Sequence, residues 1–570
     1  MGQRNPIIAL GAAIAAICVA TVEPALAAPV TWADPAGVCA GHAPCFTTLG
    51  AAVANAGPAP ATVFAFPGTF AESLDPTQMG SAIGGSPGAL AMVSVDGTGT
   101  PAPGAVIDPG ALGGPGTGSA IRAVAFPASL TIDGFVLRSP DDSALGLFFS
   151  TGPVVLRHLV ASGNPGGSGI RAIQDPSAGA ALTASDLRTD GNLDDGIHLV
   201  AVHLVATDLS ARNNGERGVR LGGQHVTAER LVAEGNATVG VEVAVGDGVA
   251  TFAVRDVTVR GNQTGLVVTA ATATTSATGT VDDVDAASNA NLGVVVQCDA
   301  VTASALTATQ NGLGIAILGK NLISATGLIA TANAEGGIAV VAPEVRLASS
   351  VADGNLRGIG VGGDRVVLEG CTATNNGPPG PDPFDGAGFV VAARLLDAHG
   401  NTASGNQVGW IFDDEDPLAT TVSRQSIEGG APPPQRLAML RTLTEGNLAA
   451  SMRVRLREAG RLTVGCSSFV ANAPPGLELL TDHTVDARSN FWGAPSGPSH
   501  PGNPGGTGDG IRDAANGGAG SVLYAGFLAA PPTDSDCPAL PILDVPALGP
   551  AGLYLMAALL ALAGVRRLVR

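Results

Sequence analysis

The recurrence of asparagine at a near-constant interval constrains the fold of this chain more than any other feature. Four asparagines between Asn289 and Asn355 lie at steps of 22 residues, and three between Asn192 and Asn236 repeat that step. A fixed period of this size indicates a repeat architecture in which one unit stacks on the next. The predicted column comprises Asn192, Asn214, Asn236, Asn262, Asn289, Asn311, Asn333 and Asn355.

Within each unit, aliphatic residues alternate with other residues, as in the stretch Ala308–Leu318. A period of two predicts short strands with one buried face and argues against a helical solenoid. An asparagine between two strands tolerates the left-handed backbone conformation and can bond to nearby backbone. Asparagines on successive units can also bond to one another in a ladder, and the glycine that follows frees the backbone to enter the next strand.

Composition agrees with a narrow, exposed solenoid. Glycine accounts for 80 of 570 residues and aromatic residues for 4%, which suits a core filled by small side chains. The formal net charge is −19, so nucleic acid is not expected as a partner. The acidic balance favours a solvated surface or bound cations.

The two ends of the chain indicate export. Residues Met1–Ala27 combine Arg4, an apolar run and a small-residue cleavage site, which predicts a secretory signal peptide. Residues Ala547–Val565 carry no charge and precede a basic tail, which predicts a membrane span with a cytoplasmic end. We therefore expect an exported protein of the cell envelope or cell surface, anchored in a membrane before any C-terminal processing.

A 22-residue coil with this asparagine turn resembles the right-handed parallel β-helix of pectin-lyase-like proteins, from Thr131 to Trp492. The resemblance implies an all-β solenoid of about 12–16 coils. The stretch Cys45–Gly57, followed by "PGTF", resembles the helical cap that opens such proteins. The end "VPALGPAGLYLMAALLALAGVRRLVR" resembles a C-terminal sorting signal of the IPTL/PEP-CTERM type, which implies a processing protease of the envelope as a partner.

These observations divide the chain into five segments. They are the signal peptide at 1–27, the N-terminal cap and first coils at 28–130, the β-helix repeats at 131–490, the C-terminal cap and linker at 491–544, and the sorting signal and transmembrane segment at 545–570. The step from Asn406 to Asn472 is three times 22. Two disguised coils or an inserted loop or helix would both account for it, so the conformation of 413–460 stays open.

Six cysteines remain after removal of the signal peptide. Cys39 and Cys45 are close in sequence in an exported chain, which predicts a small-loop disulfide. Cys466 should point outward and could bond Cys537, joining the C-terminal tail to the solenoid. The register places the side chains of Cys298 and Cys371 inward, as buried thiols.

One candidate site emerges from the register of the strands. A patch on three successive coils would collect Asp194, Asp195, His198, Arg217, Arg220 and Glu242. Carboxylates with arginine and histidine suit acid–base cleavage of a glycosidic bond or proton abstraction next to a uronate. The alternative is a solvated face with cross-strand ion pairs.

Metal and cofactor signals are weak. The histidines have no metal-ligand spacing, so no metal site and no cofactor are predicted. Calcium remains possible, because a carboxylate row offers oxygen ligands and "GGTGDG" at Gly505–Gly510 resembles one copy of a calcium-binding repeat. A loop is the favoured interpretation of that stretch.

Enzyme signatures of similar folds do not transfer to this chain. Alginate epimerases and lyases of this fold carry Asp-Pro-His-Asp, whereas "DPFD" at Asp382–Asp385 has Phe384 in place of histidine and is interpreted as a turn. The sequence therefore favours an exported, envelope-anchored β-helix, structural or adhesive, that contacts polysaccharide or extracellular matrix. The alternative is a carbohydrate-active enzyme, either a polysaccharide lyase or a glycoside hydrolase.

Overall fold

The computed structural model describes residues 29–56, 60–75, 89–112, 118–246, 248–270, 276–378, 380, 382–413, 436–456 and 461–533. They form a parallel β-solenoid of about 15 turns. The predicted signal peptide and sorting segment lie outside these ranges. Across the described ranges, no helix has the length and apolar character needed to cross a membrane.

The strands follow one another with short turns. The first part contains helix α1 (Leu49–Asn55), 3-10 turns at Cys39–Gly41 and Pro109–Leu112, and strands β1 Val30–Ala33, β2 Cys45–Phe46, β3 Ala61–Ala65, β4 Gly68–Phe70, β5 Leu90–Ser94, β6 Ala105–Ile107, β7 Ile121–Val124, β8 Leu130–Asp133 and β9 Phe135–Leu137. The middle part contains β10 Leu145–Ser150, β11 Val154–Ser162, β12 Ile170–Gln174, β13 Ala181–Asp190, β14 Ile197–Val200, β15 His203–Arg212, β16 Val219–Gly223, β17 His225–Glu234, β18 Val239–Val245, β19 Val249–Arg260, β20 Thr264–Ala270, β21 Ser276–Ala287, β22 Leu292–Cys298, β23 Ala300–Thr309, β24 Leu313–Gly319, β25 Leu322–Thr326, β26 Ile329–Thr331, β27 Gly336–Val341, β28 Glu344–Ala348 and β29 Val351–Asp353. The last part contains β30 Ile359–Glu369, β31 Thr372–Thr374, β32 Ala387–His399, β33 Thr402–Ser404, β34 Val408–Asp413, β35 Arg436–Leu440, β36 Leu443–Glu445, β37 Ala450–Arg455, β38 Arg461–Gly465, β39 Ser468–Val470, β40 Leu477–Leu479, β41 Thr484–Asp486, β42 Pro498–Ser499, β43 Gly508–Arg512 and β44 Ser521–Leu523.

Each coil contributes one strand to a sheet that we call the front sheet. Its strands pair in parallel, coil upon coil, in the order β10, β12, β14, β16, β18, β20, β22, β24, β27, β30, β32, β34, β37, β40 and β43. Alternate side chains point inward, so Ile197, Val219 and Val241 stack in the core with no exposed surface. The remaining alternate positions face outward and carry the candidate site.

The asparagine column is bonded from coil to coil. The amide nitrogen of each member donates to the side-chain oxygen of the next, as Asn311 does to Asn333 at 3.1 Å. In most members it also donates to a backbone oxygen of the coil before, which for Asn311 is that of Ala286 at 3.0 Å. These buried amides thus satisfy their hydrogen-bonding capacity along the axis. The bonded column comprises Asn164, Asn192, Asn214, Asn236, Asn262, Asn289, Asn311, Asn333, Asn355, Asn376, Asn406, Asn447 and Asn472.

The left-handed residue of each turn is not the column asparagine. It is the preceding residue, as at Gly235 (φ +65°), Gln310 (φ +56°) and Gly354 (φ +64°). The prediction that the column asparagine takes this conformation is therefore wrong. The asparagine instead keeps an ordinary backbone and directs its amide along the axis, because its side chain replaces the backbone bonds that the turn cannot make.

The glycine that follows each asparagine is needed because a larger residue would not fit, and not because the backbone requires its freedom. A Cβ atom on Gly314 would lie 2.5 Å from the carbonyl oxygen of Gly337 and 2.8 Å from the amide nitrogen of Asn333. Gly240 would bring a Cβ to 2.7 Å from the amide nitrogen of Asn262. The glycine column is thus the surface against which the asparagine ladder packs.

In the irregular interval between Asn406 and Asn472, the described residues form one additional coil. Asn447 accepts from Asn406 and donates to Asn472, and strands β35, β36 and β37 complete its circuit. The asparagine column passes directly from Asn406 to Asn447 and on to Asn472, so the described residues of this interval contribute one coil to it. The acidic stretch beyond Asp413 falls in 414–435, outside the described residues.

At the N-terminal end, a helical cap is not supported. The helix there, α1, spans seven residues, begins at the side-chain cap Thr48 and lies beside β1, where Thr31 donates to the carbonyl of Ala52 at 3.0 Å. Parallel pairing of β1 with β2 and β3 builds the first turn. At the other end, Trp492 has no exposed surface and stacks on Phe469 with ring centroids 4.5 Å apart.

The cysteines occupy three environments. Cys39 and Cys45 form a disulfide. Cys298 and Cys371 are buried free thiols, and burial raises their pKa to about 12 and about 11. Cys466 is disulfide-bonded and 2% exposed, and it is not part of the main hydrophobic core cluster.

The tail explains the burial of Cys466. Pro532 and Thr533 line the same small cavity as Cys466, so this part of the tail lies beside the sulfur. Cys537, its predicted partner, lies outside the described residues.

Candidate functional site

The predicted patch lies on one outward row of the front sheet. Arg171, His198, Arg220 and Glu242 pair in register on β12, β14, β16 and β18. Neighbouring strands lie about 4.8 Å apart, so the four side chains follow one another within contact distance. The row exists because each residue immediately follows the buried aliphatic residue after the glycine.

Asp195 and Arg217 join this row from the turn that precedes each strand. The backbone N–H of Arg217 donates to Asp195 Oδ1 at 3.2 Å, and Arg217 Nη1 lies 3.5 Å from the same oxygen. Arg217 Nε lies 2.5 Å from Glu242 Oε2, but its N–H is not aimed at that oxygen, so the contact is an ion pair without a well-formed hydrogen bond. Arg220 Nε lies 3.6 Å from Glu242 Oε2. A single network therefore links three coils.

His198 is the most perturbed group of the network. Its side chain is 10% exposed, and Nδ1 lies 3.6 Å from Asp195 Oδ2. Burial first, and then the positive charge of Arg220, lower the pKa of His198 to about 4, although Asp195 opposes the shift. The imidazole is therefore neutral at neutral pH and can accept a proton.

Arg171 and Asp194 lie at the border of the network. The guanidinium of Arg171 lies over the ring of Phe148, 5.4 Å from its centroid, and its Nε has no hydrogen-bond partner in the described part of the chain. Asp194 is half-buried, and among the described residues its carboxylate forms no ion pair. The structure thus brings together five of the six predicted residues and leaves Asp194 aside. We call Asp195, His198, Arg217, Arg220 and Glu242 the His198 cluster.

A second charged cluster, which sequence reasoning missed, occupies the same row near the C-terminal end. Arg453, Glu478 and Arg512 pair in register on β37, β40 and β43. Glu478 Oε2 accepts from Arg453 Nε at 3.0 Å, and Glu478 Oε1 accepts from Arg512 Nη1 at 2.9 Å. We call these three residues the Glu478 cluster. The available signal was their position, one residue after a buried aliphatic residue. This signal could be recognised only once the coil that contains Asn447 was known.

A cavity of about 260 Å³ borders the Glu478 cluster. Its residues are Pro383, Phe384, Ile411, Phe412, Asp413, Arg453, Arg455, Glu478 and Leu480. Arg455 Nη1 lies 3.4 Å from the buried carboxylate of Asp413. Apolar walls with a few charged groups are typical of ligand sites.

The "DPFD" stretch forms one rim of this cavity. It is a turn in which the N–H of Asp385 donates to the carbonyl of Asp382 at 3.0 Å. Arg357 binds both carboxylates, with Nε 2.9 Å from Asp385 Oδ1 and Nη2 2.8 Å from Asp382 Oδ2. This clamp places Phe384 against the cavity.

Between the clusters, the row carries small or apolar residues. They are Val267, Val295, Ala316, Ala339, Gly360, Val390 and Ile411. Ala316 and Ile411 are almost fully covered by neighbours, so these side chains offer a ligand little surface to contact. Eight strand spacings, or about 38 Å, separate Glu242 from Arg453.

Carboxylates elsewhere are engaged in other ways. Within the described ranges, no group of three histidine, cysteine or acidic residues is arranged to hold a metal ion. Asp509, in the "GGTGDG" stretch, accepts the amide of Asn472 at 2.6 Å and ends the asparagine ladder, and burial raises its pKa. The stretch enters β43 at Gly508, so it is in part a strand.

Fold and site together define a parallel β-solenoid with two charged clusters on one face. No family model and no curated protein matches the chain. Among solved structures, the periplasmic alginate epimerase AlgG is similar at 12% identity and a TM-score of 0.25, covering 76% of this chain and 77% of that one. The Azotobacter vinelandii mannuronan C-5 epimerase AlgE6 A-module is similar at 12% identity and a TM-score of 0.21, covering 83% and 92%. At these values neither likeness carries an argument about function.

Proposed function

We propose that this protein is an exported solenoid of the cell envelope that binds an acidic polysaccharide along its front sheet. The observation that carries the proposal is the placement of two arginine-containing clusters in one register of a single face. A linear polymer with a carboxylate on each repeat can contact both clusters at once, because they lie in one register of one sheet. The guanidinium groups act over a short range, because salt screens the more distant acidic residues that give the chain its net charge of −19. Arginine is suited to such carboxylates, since its planar guanidinium binds them with two parallel N–H groups.

Arg171 provides a contact in the N-terminal half of the row that no carboxylate of the described residues occupies. Arg217 and Arg220 are already paired with carboxylates, whereas Arg171 has an aromatic neighbour and no acidic partner among the described residues. An incoming carboxylate would therefore gain a charge-assisted bond at Arg171 without breaking an existing pair.

The binding experiment uses polygalacturonate as the acidic polymer and dextran as the neutral one. Co-sedimentation of the purified protein should show binding to polygalacturonate that weakens as salt rises, and little binding to dextran. Arg171→Ala should weaken binding about tenfold, equivalent to 1.4 kcal/mol. Arg188→Ala is the matched control, since Arg188 is exposed on β13, off the front sheet. Equal binding of the two polymers would reject the proposal.

A second candidate function is uronate chemistry at His198. The neutral imidazole beside Asp195 and Arg217 could remove a proton next to a sugar carboxylate, which the arginine would stabilise. Incubation with polyuronates should then give unsaturated products, reducing ends or an altered proton at the sugar carbon. Asp195→Ala and Arg217→Ala should abolish them. Absence of product with and without calcium would leave only the binding role.

The envelope location rests on segments outside the described residues. A signal peptide at 1–27 and a sorting signal at 545–570 would export the chain, anchor it in the membrane and present it to a processing protease. Mass spectrometry of the protein recovered from cells should show a mature start after Ala27 and loss of the C-terminal span. A terminus at Arg570 would instead indicate a simple anchor.

A further inference from the structure

The cavity beside the Glu478 cluster has the features of a site for one acidic sugar ring. We propose that it binds a single uronate residue of the polysaccharide, with Arg453 holding the carboxylate and Phe384 packing against the ring. This inference rests on the proposed function. It adds the place at which the polymer is anchored and the sugar unit that anchors it.

Arg453 is fixed in place and still has donors to offer. Its Nε donates to Glu478, which sets the plane of the guanidinium. In the part of the chain that the structure describes, its Nη1 and Nη2 atoms have no hydrogen-bond partner, and the side chain is 33% exposed at the cavity. Two parallel donors on a pre-oriented guanidinium match the two oxygens of a carboxylate.

Glu478 orients the arginines and does not compete for the ligand. Each of its oxygens already accepts from one arginine, and the side chain is only 10% exposed. Among the described residues, the cluster and the cavity lining carry three guanidinium groups and two carboxylates. They are Arg453, Arg455, Arg512, Asp413 and Glu478.

Phe384 supplies an apolar wall of the cavity. It packs against the hydrophobic cluster that contains Ile411, and Leu480, which is 40% exposed, extends the apolar surface at the cavity. Aromatic side chains provide large contact area with few rotatable bonds, so a sugar ring gains contact at low entropic cost. An aromatic wall and a fixed guanidinium together favour a ring that bears a carboxylate over a free small anion.

The size of the cavity limits the ligand to one unit. Its volume of about 260 Å³ falls just below the roughly 300–1,000 Å³ of pockets that enclose drug-sized ligands. Neighbouring units of the chain would therefore lie outside the cavity, along the row toward the His198 cluster.

Arg357 is a positioning residue for this site. It holds Asp382 and Asp385, on either side of Phe384, and so fixes the rim without contacting the ligand. Arg357→Gln should weaken binding through Phe384, whereas Arg357→Lys should retain one ion pair and recover part of the affinity.

Calorimetric titration with trigalacturonate and uncharged maltotriose tests the proposal. The wild-type protein should prefer trigalacturonate at least tenfold, and Arg453→Gln should remove that preference. Phe384→Ala should weaken trigalacturonate binding about tenfold, and Phe384→Leu should give an intermediate loss because the wall remains apolar. Phe149→Ala is the matched control, since Phe149 is 56% exposed on β10, which is many strands away from the cavity in the front sheet.

The outcomes separate this inference from the proposed function. Loss of trigalacturonate binding in Phe384→Ala, with the control unchanged and unfolding unaltered, supports the uronate site. Polygalacturonate binding that is independent of Phe384 and Arg453 overturns the site and leaves the proposed function standing. Failure of the wild-type protein to bind polygalacturonate rejects both.

Discussion

The His198 cluster and the Glu478 cluster occupy one register of one sheet, but the chain around them differs. The His198 cluster is built on coils of nearly constant length, and its network fills the space between side chains, so the histidine is buried and neutral. The Glu478 cluster lies beside the turn at Asp382–Asp385 and follows an interrupted repeat, and it borders a cavity. Repetition thus gives a ladder of ion pairs, whereas a departure from the repeat gives a concave surface.

The regular region should be the more sensitive to added volume. Gly314→Ala should cost about 4 kcal/mol, because the new Cβ would overlap the next coil and displace the amide of Asn333 from the ladder. Gly360→Ala is the control, since its Cβ would meet nothing nearer than the carbonyl of Ile338 at 3.8 Å. Urea unfolding followed by circular dichroism measures both. A similar loss in the two variants would contradict the packing role of the glycine column.

The buried histidine should give the regular region a pH dependence. The pKa of His198 is about 4 in the folded protein and near 6.5 in the unfolded chain, so the unfolded chain binds more protons between these values. The contribution of His198 to the free energy of unfolding is therefore complete above pH 6.5. It falls by about 3 kcal/mol as the pH drops to 4.

His198→Gln should remove this part of the slope, whereas His158→Gln, at an exposed position, should keep it. Unfolding free energies from pH 7 to pH 4 provide the measurement. Parallel curves for the wild-type protein and His198→Gln would show that the imidazole is not the source.

Removal of one anion should affect the two clusters unequally. Glu478→Gln should cost about 2 kcal/mol, because it leaves two arginines with a single neutral acceptor. Glu242→Gln should cost about 1 kcal/mol, since its side chain is 20% exposed and its contacts are poorly aligned. Glu344→Gln, at an exposed pair with Arg346, is the control. Equal losses at Glu478 and Glu242 would remove the distinction between the clusters.

An ion pair away from both clusters should have the smallest effect. Arg230 pairs with Asp208 at 2.6 Å, but both side chains are nearly half exposed, and Arg230 has φ +55°. Arg230→Gly loses a screened pair and gains a residue suited to that backbone, so the urea midpoint should not change measurably. Leu231→Ala, at the buried neighbour, should lower the midpoint clearly. A clear loss in Arg230→Gly would mean that surface ion pairs contribute to stability here.

The sequence was sufficient for the parallel solenoid and for most of the asparagine column, because a period in sequence becomes a stack in space. It was also sufficient for the register that unites His198, Arg220 and Glu242. Asn447 was missed because its coil follows an interval of 41 residues, and the Glu478 cluster was missed with it.

The rest could not be obtained from residue types alone. The pKa of His198 depends on burial by neighbouring coils and on charges brought together from 22 residues away. The cavity depends on a clamp between Arg357 and a turn at Asp382–Asp385, and no periodic pattern encodes that contact. The requirement for glycine after each asparagine likewise depends on the distance to the next coil, which the residue types do not specify.

The asparagine ladder gives the solenoid a direction. Along the column, each side-chain amide donates one bond toward the C-terminal end, from Asn164, whose oxygen accepts from the N–H of Ser139, to Asn472, which donates to Asp509. Aligned amide dipoles add, as they do in an α-helix, so the interior of this rod carries an electric polarity along its length. The carboxylate of Asp509 lies at the positive pole, and successive amides reinforce one another up to that terminal charge.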